Sequence, residues 1–317
     1  MFHRRHIVVL GVCLIAVAPW GGTPNPRATP SGQGAIMTGN PAPSLEQIHS
    51  LIMRAIENQH RDDRELEEFE RVERIITRKA ENAEVITDIT ERVVPSGTGT
   101  VKLRTIENGV AVSPEQYRQE LEFAVNALGL VAHPDARYAE DQEKFERRRR
   151  QHAELVDAST KAFLVTWLGR ETRSDLAGGH GPRTLMKLQL EPDPNFKPTT
   201  RFAASFQHVH ATLWVDETQA QFARLEADIA TDIPFGGGIA GKVYHGGHVV
   251  MVQEEVAPGI WLPTFYNYEV DGRKFMFAFG IHERTEITRY RRVGPPPQAI
   301  EIVRNELNNL TAVTPAR

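Results

Sequence analysis

From Thr160 almost to Arg292 the sequence repeats one pattern: short runs of alternating apolar and polar residues, broken by turn residues. A period of two puts every second side chain on one side of a strand. Strands are expected over 161–169, 183–191, 207–216, 221–229, 248–256, 265–270, 273–282 and 286–293. Glu217-Thr218-Gln219-Ala220 joins the third to the fourth, and Pro258-Gly259 turns the chain before Trp261-Leu262-Pro263. Asp271-Gly272 reads as a two-residue hairpin turn. So many sequential strands with short connections predict an α+β fold on a large antiparallel sheet. A sheet of that size tends to curl. The expectation is a large curved antiparallel sheet, a half-open β-barrel, with helices covering its open face or mouth.

The first half supplies the helices. Ser44-Leu45-Glu46-Gln47 is a capping box, in which Ser and Gln satisfy each other's backbone N–H groups. Leu45, Ile48, Leu51, Ile52, Ala55 and Ile56 follow at helical spacing, one buried face of an amphipathic helix. The charged stretch 61–68 reads as its solvated end. Residues 69–77 are less regular and drift toward β-branched types; 84–94 and 100–106 alternate as strands, and Asn108-Gly109 makes a tight turn. Ser113-Pro114-Glu115-Gln116 opens a second helix, with Tyr117, Leu121, Ala124, Val125 and Leu128 on its apolar face. A charged helix is expected over 136–156. After Gly294-Pro295-Pro296-Pro297, the segment from Ala299 to Leu310 reads as a peripheral helix or a frayed tail. No internal repeat of fixed period is present.

The N-terminus points to export. The basic cluster His3-Arg4-Arg5-His6 precedes an apolar run from Ile7 to Trp20, broken only by Gly11 and Pro19. These are the two leading parts of a secretion signal, and the run is short for a membrane-spanning helix. Ala16-Val17-Ala18 offers small residues for cleavage, but Pro19 disfavours a cut there, so the cut is expected nearer Gly21-Gly22; an uncleaved signal would leave an N-terminal anchor. Cys13 is the one cysteine of the chain. Val12 before it and the apolar run after it make a poor lipid-attachment site, and it reads as part of the apolar run. The mature chain then holds no disulfide and relies on its core. The formal charge of −4 becomes more negative once Arg4 and Arg5 are removed, which argues against a nucleic-acid partner. The expected organisation is a signal over 1–22, a flexible Gly/Pro/Ser/Thr-rich linker over 23–43, one domain over 44–293 with a helical insertion near 113–158, and a tail over 294–317.

Several segments of the strand-rich half resemble a known family. Ala211-Thr212-Leu213-Trp214-Val215-Asp216 with Phe222-Ala223-Arg224-Leu225-Glu226 looks like a recurring hairpin of periplasmic lipoprotein-carrier-like (outer-membrane lipoprotein-sorting, Lol-type) half-barrel proteins. Gly259-Ile260-Trp261-Leu262-Pro263 is similar to the part that follows, and Asn108-Gly109 with Ser113-Pro114-Glu115 to a strand-turn-helix of exported relatives. The resemblance implies a half-open barrel lidded by helices, whose apolar concave face holds acyl chains. Its implied partner is a lipid or an acylated protein, without a cofactor. The charged insertion near 136–158 departs from the dedicated carriers, and no binding residue is carried over.

The residues themselves leave alternatives open. Val209, Ala211, Leu213 and Val215 share one side of a strand, and Ala223, Leu225, Ala227 and Ile229 one side of the next. They could line an acyl cavity or a filled core covered by the helix at 45–56. His208 and His210, two apart on an expected strand, with His245 and His248 nearby, are candidate imidazole ligands; an ordinary polar sheet surface is the plainer reading. The segment from Gly236 to Lys242 lacks the spacing of a phosphate loop and reads as a hairpin loop. Arg147-Arg148-Arg149-Arg150 reads as a solvated helix, or as a contact for anionic lipid at a membrane surface. No nucleophile elbow is present, no mature cysteine remains, and no enzyme activity is expected. Three functions remain: a lipid or lipidated-protein binder of the periplasm, a structural or protein-interaction module of the cell envelope with a filled core, and a metal-dependent enzyme using the histidines.

Overall fold

The computed structural model describes residues 41–132, 136–173, 182–236 and 238–313. The basic cluster, the apolar run, Cys13 and the linker up to residue 40 lie outside the described residues. In chain order the elements are α1 (Leu45–Glu65), β1 (Phe69–Arg78), β2 (Val85–Pro95), β3 (Thr100–Glu107), β4 (Val110–Ala111), α2 (Pro114–Ala132), α3 (Ala136–Ala162), β5 (Phe163–Arg173), β6 (Arg183–Pro192), β7 (Val209–Asp216), β8 (Gln221–Ile229), β9 (Ile233–Phe235), β10 (Gly241–Val243), β11 (His248–Ala257), β12 (Ile260–Lys274), β13 (Phe277–Arg292) and α4 (Pro296–Val313). Among the described residues the strands form one open antiparallel sheet in the order β4-β3-β2-β1-β13-β12-β11-β8-β7-β6-β5, with β10 pairing β12 and β9. The fold class is the one expected: α+β on a large antiparallel sheet.

Both helix starts follow their sequence signals. Ser44 N donates to Gln47 Oε1 at 2.8 Å, and Gln47 N returns a bond to Ser44 Oγ at 3.2 Å. Ser113 and Gln116 repeat the arrangement at 2.9 and 3.2 Å. Each pair satisfies two N–H groups that a helix start leaves free.

The described residues form two compact units, one drawn from 41–62, 77–86 and 152–284, the other from 63–76, 87–151 and 285–313. In the first, Ile48, Leu51, Ala55 and Ile56 of α1 pack with Val156 of α3 on Met186, Leu188, Leu213, Val215 and Phe222. In the second, Leu121, Ala124 and Leu128 of α2 pack with Ala299, Ile300 and Val303 of α4 on Val94, Val101 and Leu103. The C-terminal segment is therefore a core helix, not a periphery. Its apolar residues fall at 299, 300 and 303, one face of a helix, and Pro296 suits its first position.

Two local expectations fail for identifiable reasons. Asp271-Gly272 is not a turn; β12 runs through it, and the chain reverses at Phe275-Met276. Gly272 is there for close approach. A Cβ on it would lie 2.6 Å from Lys242 O of β10 and 2.6 Å from the Phe279 ring. His208 belongs to a short 3-10 turn (Ala203–His208), so it is not on a strand with His210.

In the second unit a buried charge cluster sits beside the apolar core. Arg92 donates to Glu70 Oε2 at 3.0 and 2.8 Å and also to Glu306, whose other oxygen accepts from Tyr117 Oη at 2.7 Å. Burial works against the Arg92 charge, but Glu70 and Glu306 outweigh it and raise its pKa. Of the basic run on α3, Arg149 bonds Glu67 at 3.2 Å and Glu146 at 3.1 Å, and Arg148 lies 6.0 Å from the Phe145 ring.

Candidate functional site

The eight cavity candidates lie on β7 and β8, and their register decides what they can do. Val209 faces Ile229, Ala211 faces Ala227, and Leu213 faces Leu225. The register then shifts, so that Val215 faces Phe222 rather than Ala223. Ala223 is the extra residue of a β-bulge. It turns to the opposite side of the sheet, against Leu185, Trp214, Val250, Val252 and Trp261. Strict alternation placed it with Leu225; a bulge leaves no mark in the alternation, and Phe222 takes its place.

The others divide between two packed clusters. Leu213 and Val215, with Leu225 partly buried beside them, lie beneath α1. Val209, Ala211, Ala227 and Ile229 pack with Ile233, Val243, Val249, Val270 and Phe279. Two open clefts among the described residues lie elsewhere. One, of about 410 Å³, flanks α1 and is lined by Leu51, Arg54, Arg170, Met186 and Glu217 among others; the second, of about 330 Å³, is bounded by Arg104, Gln116, Glu120 and Phe123. None of the eight candidates lines either cleft.

A polar latch holds the C-terminal half of α1. Asn58 Nδ2 donates to Gln219 O and Ala220 O at 3.0 and 2.9 Å. Gln253 Nε2 of β11 donates to Gln59 Oε1 at 2.8 Å. Asp62 Oδ2 accepts from Gln221 Nε2 at 2.9 Å and from Trp261 N at 3.1 Å, while Oδ1 accepts from Arg61 Nε at 2.9 Å. Arg61 Nη2 reaches Gly259 O at 2.8 Å. Burial raises the Asp62 pKa, and its bonds to Trp261, Arg61 and Gln221 pull the other way. Gln59, Asp62, Gln221, Gln253 and Trp261 are all buried.

The solvated-end reading of 61–68 fails at Asp62. The signal was available in the spacing: residues 48, 51, 55, 59 and 62 continue one helical stripe. Polar residue type concealed it.

The four candidate metal histidines do not converge. His208 Nδ1 bonds Thr231 Oγ1 at 2.8 Å, His210 pairs with Glu191, His245 Nδ1 meets Asp232 at 2.9 Å, and His248 Nδ1 meets Asp228 at 2.8 Å. Among the described residues no group of three or more His, Cys, Asp or Glu side chains is placed to hold a metal ion.

His282 carries the more telling chemistry. It is buried, with Nδ1 2.7 Å from Glu269 Oε2 and Nε2 3.2 Å from Asp271 Oδ1. A Cβ on Gly280 would come within 2.7 Å of Nε2, so that glycine makes room for the ring. Burial lowers the His282 pKa, but Asp271 and Glu269 more than reverse this and raise it to about 9. A raised folded-state pKa stabilises fully below the unfolded value of 6.5, and the contribution is lost as pH rises toward about 9. The urea midpoint is expected to fall over that window, by up to about 3 kcal/mol in stability. His282→Gln should flatten the slope between the two pH values; an unchanged slope would place its origin elsewhere. Glu269 and Asp271 lie two apart on β12 and His282 on the adjacent strand β13, so their meeting depends on the register of that hairpin, which the sequence placed at the wrong turn.

No family model matches the chain, and no curated protein matches it. The fold is similar in part to a crystal structure of a domain from Vibrio parahaemolyticus, provisionally named an outer membrane lipoprotein-sorting protein domain. The match covers 76% of this chain and 92% of that one, at 8% identity and a TM-score of 0.29. No residue role is carried over from it.

Proposed function

We propose that the protein is an exported, non-catalytic interaction module of the cell envelope whose apolar core is closed by α1, and which acts through its surface. Export rests on the basic cluster and apolar run at residues 3–20. The closed core rests on one observation above all: α1 is fixed by an apolar seat along one half and by buried hydrogen bonds along the other. Lifting it would expose Leu213, Val215 and Phe222 and leave Asp62, Gln253 and Gln221 to find new partners. Each buried polar group so orphaned costs about 1–3 kcal/mol.

A carrier for a lipid or an acylated protein is the second reading. It is favoured by the cleft of about 410 Å³ beside Leu51 and Met186, with Arg54 at its edge to meet an anionic headgroup. Here α1 would act as a lid. Titration with a fluorescent long-chain fatty acid separates the two. The closed-core reading expects no saturable uptake and no lipid in native mass spectra of protein purified from its own envelope. Stoichiometric uptake, or a co-purifying lipid, favours the carrier.

A further inference from the structure

The first unit carries an apolar tip that its own fold does not cover. β12 and β13 are joined by a two-residue turn at Phe275-Met276. Phe275 is 56% exposed, Met276 91% and Phe277 75%; Ile239, in the loop between β9 and β10, is 82% exposed. Phe275 N donates to Ala240 O at 3.0 Å, which fixes the two loops side by side. Scattered exposed apolar residues are ordinary, but a contiguous group on two bonded loops marks a contact surface.

The turn chemistry strengthens this. Phe275 has φ 53°, a left-handed conformation that Gly, Asn or Asp adopts with least strain at such a turn. A phenylalanine there is strained, and with its ring exposed it gains little packing in return. Strain that folding does not need is a pointer to function.

The charges name the partner. Arg273 Nη1 donates to Phe275 O at 2.9 Å and Nη2 to Gly238 O at 3.0 Å, so its guanidinium braces both loops. Neither Arg273 nor Lys274 makes an ion pair among the described residues. The neighbouring carboxylates are already engaged: Asp232 by Lys242 at 2.6 Å and by His245, and Glu269 and Asp271 by His282. The tip thus joins exposed Phe and Met side chains to two cations, Arg273 and Lys274, that pair with no carboxylate among the described residues. An anionic lipid surface fits both halves, since apolar side chains enter the headgroup boundary while Arg and Lys meet phosphates. The paired Arg149 is a poorer candidate for that contact.

We propose that Phe275, Met276, Phe277 and Ile239 insert into an anionic membrane surface, with Arg273 and Lys274 on its lipid phosphates. The proposal uses none of the residues beneath α1, so it stands or falls separately from the closed core. The test is co-sedimentation of the mature chain, from residue 23 onward, with vesicles of phosphatidylcholine, with and without phosphatidylglycerol. The intact protein is expected on the phosphatidylglycerol vesicles and not on pure phosphatidylcholine. Met276→Ser with Phe277→Ser should weaken binding by about tenfold or more, with an unchanged circular dichroism melt because both side chains are exposed. Lys274→Glu should weaken it by ~10-fold and flatten its salt dependence. No vesicle binding, equal binding to both vesicles, or full binding by the double serine variant would each overturn the proposal. A concentration-dependent dimer that the double serine change abolishes, without vesicle binding, would assign the tip to a second copy of the chain and overturn it too.

Discussion

Trp261→Ala is expected to lower the stability of the first unit by about 3–5 kcal/mol, the range for removing a large buried aromatic side chain. Trp261 is fully buried against Leu185, Trp214, Ala223, Val250 and Val252. Its indole N–H donates to Gln219 Oε1 at 2.6 Å, and the Arg183 guanidinium lies 4.8 Å from its ring. Gln219 in turn gives its carbonyl oxygen to Asn58 of α1. Losing the indole therefore opens a cavity and frees a partner of the latch. Trp261→Phe separates these effects, because it keeps most of the volume and removes the N–H; about 1–2 kcal/mol is expected. Urea unfolding followed by tryptophan fluorescence reads the result. Trp167, Trp214 and Trp261 all belong to the first unit. A loss for Trp261→Ala no larger than for Trp261→Phe would contradict the packing described.

Arg92→Ala is the matching experiment in the second unit. Among the described residues it leaves Glu70 with Arg291 and Glu306 with Tyr117. Glu70 is buried on β1, and its charge would lose two bonds at once. Breaking a buried pair on one side typically costs about 3–5 kcal/mol. Arg92→Lys should recover only part of this, since one ammonium cannot match a fork that grips Glu70 and reaches Glu306 together. Far-UV circular dichroism during urea unfolding measures it. A loss below about 1 kcal/mol would show that the cluster behaves as an exposed surface pair.

These residues mark where a linear reading works and where it stops. The helix starts at Ser44 and Ser113 were legible because a capping box is local; four residues contain the whole interaction. Strand alternation was legible for the same reason, and it located β7 and β8 correctly. It failed at Ala223 because a bulge is a relation between two strands. Asp271-Gly272 misled because glycine serves both tight turns and close backbone approach, and only the position of Lys242 O tells them apart. Asp62 misled through residue type: a carboxylate on a charged helix end suggests solvent, but the i, i+3 and i+4 stripe already pointed inward. The Arg92 cluster draws on strands and helices far apart in sequence, and only folding assembles it; the His282 cluster spans one hairpin, but its register depends on where the turn falls. The exposed Phe275-Met276-Phe277 was hidden by the same error that misplaced the turn.

Hydrogen exchange at the α1 amides tests the closed core most directly. The latch and the apolar seat predict that amides from Ile48 to Gln59 exchange as slowly as those of β7 and β8, and lose protection only with the whole unit. A helix that exchanges orders of magnitude faster while β7 and β8 stay protected would contradict the closed core and make α1 a lid.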